Sequence, residues 1–152
     1  MQAPEERHGS SLDVLINEGD FSSVPVALVE RAVRFAAAER PGGGEISVTF
    51  LSDVEIQALN RDYLAKDCIT DVIAFDLGGD GPLLGDVYIG FEQAERQSRE
   101  LRLSLAEELM RLAVHGTLHV LGYDHPDGTD RVASPMFVLQ ERLLEELLAS
   151  EG

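Results

Sequence analysis

Two apolar, strand-like runs, Thr70 to Leu77 (TDVIAFDL) and Leu83 to Phe91 (LLGDVYIGF), stand five residues apart. The five are Gly78-Gly79-Asp80-Gly81-Pro82. A link this short, made of turn-forming residues, folds the second run back on the first as an antiparallel hairpin. The earlier strand signals are spaced differently. Leu12, Val14 and Ile16 alternate with Asp13 and Leu15. Pro25 then opens a helical pattern through Val26, Val29 and Val33, which Arg40-Pro41-Gly42-Gly43-Gly44 ends. Ile46, Val48 and Phe50 alternate with Ser47 and Thr49, and Ser52 or Asp53 caps a short helix reaching Tyr63. Helices therefore separate the first three strands, and a tight turn joins the third to the fourth. The pattern predicts an α/β (α+β) chain: a mixed four-stranded sheet packed with about five helices.

The remaining helices follow the hairpin. Glu92 to about Leu103 is one. Ser104, with Glu107 three residues on, forms a capping box for the next, which runs to Leu121 and stops at Gly122. Ser134-Pro135 opens the last, with Met136, Leu139, Leu143 and Leu147 on one stripe. The 152 residues are 44% hydrophobic and 26% charged, globular values that exclude a disordered tail. Residues 1–152 are expected to form one domain, with 1–10 frayed. No apolar run approaches the roughly 18–20 residues of a bilayer span, so no membrane association is expected. MQAPEERHGSS has no apolar core of a signal peptide, and Cys68 is the only cysteine; both point to the reducing cytoplasm. Asp and Glu number 28 against 12 Lys and Arg, a formal −16. Such a charge repels nucleic acid, so a polyanionic partner has to meet a local cation.

Three of the four histidines lie within eleven residues, HGTLHVLGYDH. His115 and His119, four apart on a helix, project from one face, and Gly122 lets the chain turn so that His125 can approach them. The spacing H-x3-H-x2-G-x2-H matches the metzincin zinc frame, with Gly116 where those proteases carry their general-base Glu. Three imidazoles suit one Zn²⁺ ion and leave a fourth position open, the mark of a catalytic, zincin-like site. Zinc lowers the pKa of a bound water to about 7. The loss of the Glu counts against a metallopeptidase. It is compatible with a substrate that supplies its own nucleophile, as RNA does with its 2′-OH.

HGTLHVLGYDH resembles the signature of the YbeY family, bacterial rRNA maturation factors described as single-strand-specific metallo-endoribonucleases. LNRDYLAKDCITDVIAF is similar to the family segment LNxxYR…TDVLSF, LLGDVYIG to its LGD-and-strand segment, and MFVLQERLL to its C-terminal helix. The matching elements run in order from about Leu59 to Leu144. The resemblance implies a zinc site at His115, His119 and His125. It also implies a role in 16S rRNA 3′-end maturation and ribosome quality control, with rRNA, the small ribosomal subunit and a ribosomal protein as partners.

The chain departs from the family at Leu64, where the family has Arg after the Tyr. Arg61 or Lys66 could supply the missing cation for a scissile phosphate. If neither does, a non-catalytic ribosome-assembly factor with a structural zinc is the alternative. Arg96, Arg99 and Arg102 form a helical stripe that an RNA could meet. Glu92–Arg96 and Glu95–Arg99, both at i,i+4, are its simpler explanation. Asp71 is either a carboxylate orienting a metal-ligand histidine or a strand-end cap. Met136 fits the apolar stripe of its helix better than a position beneath a metal.

Overall fold

The computed structural model describes residues 11–124 and 134–151. The chain runs β1 (Leu12–Asn17), α1 (Val26–Ala37), β2 (Gly44–Leu51), α2 (Asp53–Leu64), β3 (Val72–Asp76), β4 (Leu83–Gly90), α3 (Phe91–Leu101), α4 (Leu105–Val120) and α5 (Pro135–Glu151). The sheet order is β1-β2-β4-β3. β1 and β4 lie parallel to β2, with Leu12 opposite Gly44 and Gly44 opposite Leu83. β3 is antiparallel to β4, with Val72 opposite Ile89. The mixed sheet and its hairpin are thus as the turn residues require. Asp76 Oδ1 accepts from the amides of Gly78 and Gly79, the local device by which Asp shapes a turn.

Strand alternation sorts the two faces. Ile46, Val48 and Phe50 of β2 and Val87 and Ile89 of β4 are buried on one. The opposite face carries Ser47 and Asp86, whose side chains bond at 2.6 Å. α1 buries Val29, Ala32, Val33, Ala36 and Ala37, and packs on β1 and α4. α4 is the central helix. Ten of its 16 residues are buried, and it packs against β3, β4, α1, α3 and α5. A helix enclosed on so many sides must be apolar nearly all round. Ser104 starts it with the expected capping box, and Gly122, at φ 103°, follows its end.

α4 lies close on β4 because glycine stands at both contacts. A Cβ on Gly116 would come 2.6 Å from Val87 Cγ1, and one on Gly85 would run into the methyls of Val120. Position 116 therefore faces the sheet, and a side chain there has no room. The absent Glu of the metzincin frame has a packing reason as well as a chemical one.

A polar chain ties α2, α3 and the start of β3 to α4. Arg96 grips Asp53 of α2 with both terminal nitrogens, at 2.8 and 3.1 Å, and also donates to Gln93. Gln93 donates to Gln97 at 3.2 Å. Gln97 donates to Glu108 at 2.7 Å and to Asp71 at 3.3 Å. Glu108 is fully buried, and Arg111 meets it with a two-pronged bond at 2.9 and 2.7 Å. Burial works to lower the Arg111 pKa, but the hydrogen bond and charge of Glu108, with Asp71 and Glu141 nearby, leave it raised. The expected Glu92–Arg96 pairing is not the hydrogen bond that forms. Glu92 accepts from the Asp53 amide, while Arg96 takes the forked contact with the Asp53 carboxylate, a stronger geometry than a surface i,i+4 pair. Arg96 is engaged in the fold through Asp53, which corrects the expected i,i+4 pairing with Glu92 and takes Arg96 out of the stripe offered to an RNA.

Two stability measurements follow. Gly116→Ala is expected to overpack the α4–β4 contact at about 1–3 kcal/mol, against a helix-propensity gain of about 1 kcal/mol. The urea midpoint should fall with the slope unchanged; a rise would show that Val87 moves aside without cost. Arg111→Met leaves Glu108 buried with Gln97 as its remaining side-chain donor among the described residues. The expected loss is about 2–3 kcal/mol, below the ~3–5 kcal/mol of a fully buried pair. The discount applies because the Arg111 side chain is 26% exposed. Replacing Arg111 and Glu108 together by Met should recover most of that loss.

Candidate metal centre

The histidine pair stands on one flank of α4, His115 one residue before and His119 three residues after the tight sheet contact at Gly116. Gly116 faces β4, and the helical period places His115 and His119 together to one side of it. Both are half-buried. Their rings meet edge to face, with centroids 4.7 Å apart at 77°. The two Nε2 atoms are 3.2 Å apart. Two nitrogens that share a tetrahedral zinc, each about 2.0–2.1 Å from it, sit roughly 3.3 Å from one another. The donor set and its spacing therefore fit a divalent ion of that kind.

The turn after α4 begins as expected. The Gly122 amide donates to His119 O and the Tyr123 amide to Leu118 O, both at 3.0 Å. His125, the third expected ligand, lies outside the described residues. Among the described residues, no third His, Cys, Asp or Glu joins the pair in a ligand cluster.

One contact to the pair is absent from the sequence reading. Gln140 of α5 places Oε1 2.5 Å from His115 Nδ1. Gln140 is 2% exposed and lies among the buried residues Met136, Leu143, Leu144 and Leu147 of the same helix. Its signal in the sequence was available: a carboxamide standing in an otherwise apolar stripe. Burying an amide is costly unless it is bonded, so its presence there asks for a partner.

The cations proposed for a phosphate belong to another element. Arg61 lies in the last turn of α2, where Asp62 holds it at 3.1 Å and Asp67 at 3.9 Å. Leu64 ends α2 and is exposed; Ala65 follows in the left-handed conformation at φ 59°. The Lys66 amide then bonds to Asn60 O, which turns the loop toward β3. Lys66 has no carboxylate within ion-pair distance among the described residues. The structure thus joins His115, His119 and Gln140 in one cluster and leaves Arg61 paired within its own segment. Asp71 neither caps its strand end with its carboxylate nor bonds a histidine among the described contacts; it accepts from Gln97. Met136 is a core residue, as its stripe position requires. Cys68 is exposed, and Asn60 donates to its backbone oxygen.

Known proteins share this sequence pattern and architecture. A family profile described as Endoribonuclease YbeY matches residues 15–148. Endoribonuclease YbeY of Bacillus licheniformis is 40% identical over 147 residues, covering 88% of this chain and 92% of the relative. That of Oceanobacillus iheyensis is 44% identical over 135 residues, covering 80% and 86%. The solution structure of TM1509 from Thermotoga maritima superposes with a TM-score of 0.61 at 28% identity, covering 91% of this chain and 90% of that one. The match spans the sheet, the histidine helix and α5, and on that extent the chain belongs to the endoribonuclease YbeY family.

Proposed function

We propose that this chain is a single-strand-specific, metal-dependent endoribonuclease. Its work is 16S rRNA 3′-end maturation and ribosome quality control, on the small ribosomal subunit in the cytoplasm. The observation that carries the reading is the convergence of His115 Nε2 and His119 Nε2 at 3.2 Å in a chain of the endoribonuclease YbeY family. His115 and His119 would hold one zinc ion, with His125 as the third ligand that the family resemblance implies. Such an ion, when bound, supplies Lewis acidity and an acidified water.

The chain's own residues define what else the site does. Gly116 gives no carboxylate base beside the histidines, because its place is taken by the sheet contact. That disfavours a metallopeptidase and suits RNA. Among the cations near Leu64, Arg61 is occupied by Asp62 and Asp67, and Lys66 is the one available to a phosphate. The net charge of −16 denies the chain any long-range attraction for RNA, even with +2 from a metal. Recognition then rests on short-range contacts and on a protein partner on the ribosome. No helix among the described residues is long and apolar enough to cross a membrane.

A labelled single-stranded RNA tests the reading. Cleavage by zinc-loaded protein is expected, lost in His119→Ala and in the presence of chelator. Lys66→Ala should slow cleavage roughly 10-fold, the value of about one charge-assisted hydrogen bond, and Leu64→Arg should raise it. An uncleaved RNA, with stoichiometric zinc bound to the wild type and the small subunit still captured, would favour the second reading. That reading, a binding factor with a structural metal, draws its support from Leu64 and the acidic surface.

A further inference from the structure

The amide of Gln140 has only one orientation that satisfies both its neighbours. Its Nε2 is 3.1 Å from a carboxylate oxygen of Glu141, and its Oε1 is 2.5 Å from His115 Nδ1. A carboxylate accepts and does not donate, so the nitrogen of the amide must face Glu141. The amide oxygen then faces the imidazole, and an oxygen needs a donor there. His115 Nδ1 must therefore carry the ring proton. In a neutral imidazole this leaves Nε2 with its lone pair, and that atom stands 3.2 Å from His119 Nε2.

We propose that Gln140 is the positioning residue of the metal centre: it holds His115 as the Nδ1–H tautomer and presents the Nε2 lone pair beside His119. The proposal rests on the metal reading of the histidine pair given above. The two α5 residues divide the work. Glu141, exposed on the surface, sets the direction of the amide, and the buried Gln140 passes that direction to the ring. Two helices then share the described part of the site, with His115 and His119 on α4 and the group that orients His115 on α5. A leucine at position 140 would suit the apolar stripe of Met136, Leu143, Leu144 and Leu147, but it would offer no acceptor to hold the proton on His115 Nδ1. Only the Nδ1–H form offers a metal the nitrogen that faces His119.

The experiment uses the full chain labelled with ¹⁵N-histidine. The tautomer of His115 is read by long-range ¹H–¹⁵N correlation in metal-free protein, and zinc affinity by competition with a chromophoric chelator. The variants are Gln140→Met, which keeps the bulk and removes the acceptor, and Gln140→Glu, which keeps an acceptor facing Nδ1. The wild type should show His115 protonated at Nδ1. Gln140→Met should shift it toward the Nε2–H form and weaken zinc binding about 10–100-fold, the usual effect of removing such a partner. Gln140→Glu should keep the tautomer and hold zinc within a few-fold of the wild type. A Gln140→Met protein with the wild-type tautomer and zinc affinity overturns the proposal. So does a Gln140→Glu protein that folds, as judged by its circular dichroism, yet loses zinc to the same degree as Gln140→Met. A wild type that binds no zinc overturns the metal reading instead, and the tautomer measurement on metal-free protein still decides the role of Gln140.

Discussion

The close seat of α4 on β4 is the contact on which the rest of this structure depends. Two glycines, Gly85 in the strand and Gly116 in the helix, bring the two backbones together where any Cβ would hold them apart. Once the helix is seated there, its rotation about its own axis is determined. The residue before Gly116 and the residue three after it must leave the sheet on the same flank. Those residues are His115 and His119. A helix packed through larger side chains would sit farther out, and its rotation would be less constrained. The direction of the histidines is thus a consequence of packing on the adjacent face of the helix, at a contact that does no chemistry itself.

The polar chain from Asp53 to Arg111 supports the same helix from another side. Its donors run in one sense, from Arg96 through Gln93 and Gln97, and end on the buried carboxylate of Glu108. Such a chain is worth keeping only when every member is satisfied, since a partly bonded interior carboxylate is costly. Here Glu108 accepts three hydrogen bonds, one from Gln97 and two from Arg111. Arg111 is four residues before His115, so the network braces the turn of α4 that leads into the site. Asp71, at the entry to β3, joins through Gln97 and ties the edge strand to the same brace.

Much of this was readable from residue order, and the division is physical. The hairpin, the helix-separated strands, the capping box at Ser104 and the histidine pair all depend on neighbours close in sequence, which patterns of period 2 and 3.6 report. The second capping box shows the same locality: Ser52 accepts from the Glu55 amide, and Glu55 answers the Ser52 amide. What was not readable depends on elements meeting in space. Gly116 looked like a missing base until its contact with Val87 showed a missing space. Arg96 looked like half of a helical ion pair until Asp53, 43 residues away, came within reach. Gln140 carried a signal, a polar residue in an apolar stripe, but its partner His115 lies 25 residues back along the chain. Periodicity says that such a side chain is buried; only the packing of α5 on α4 says against what.

The order of the strands has a consequence for how the molecule comes into being. β4 lies inside the sheet, between β2 and β3, although it is the last strand to be made. Until residue 90 has left the ribosome, β2 has one bare edge and β3 has no partner at all. α4 cannot seat before that, because the strand that receives Gly116 is not yet in place, and α5 follows α4. His115, His119 and the glutamine that orients His115 therefore come together only after β4, α4 and α5 have all been made. A chain built this way carries no assembled site while most of it is still being translated, and its nuclease chemistry begins only when the fold is whole.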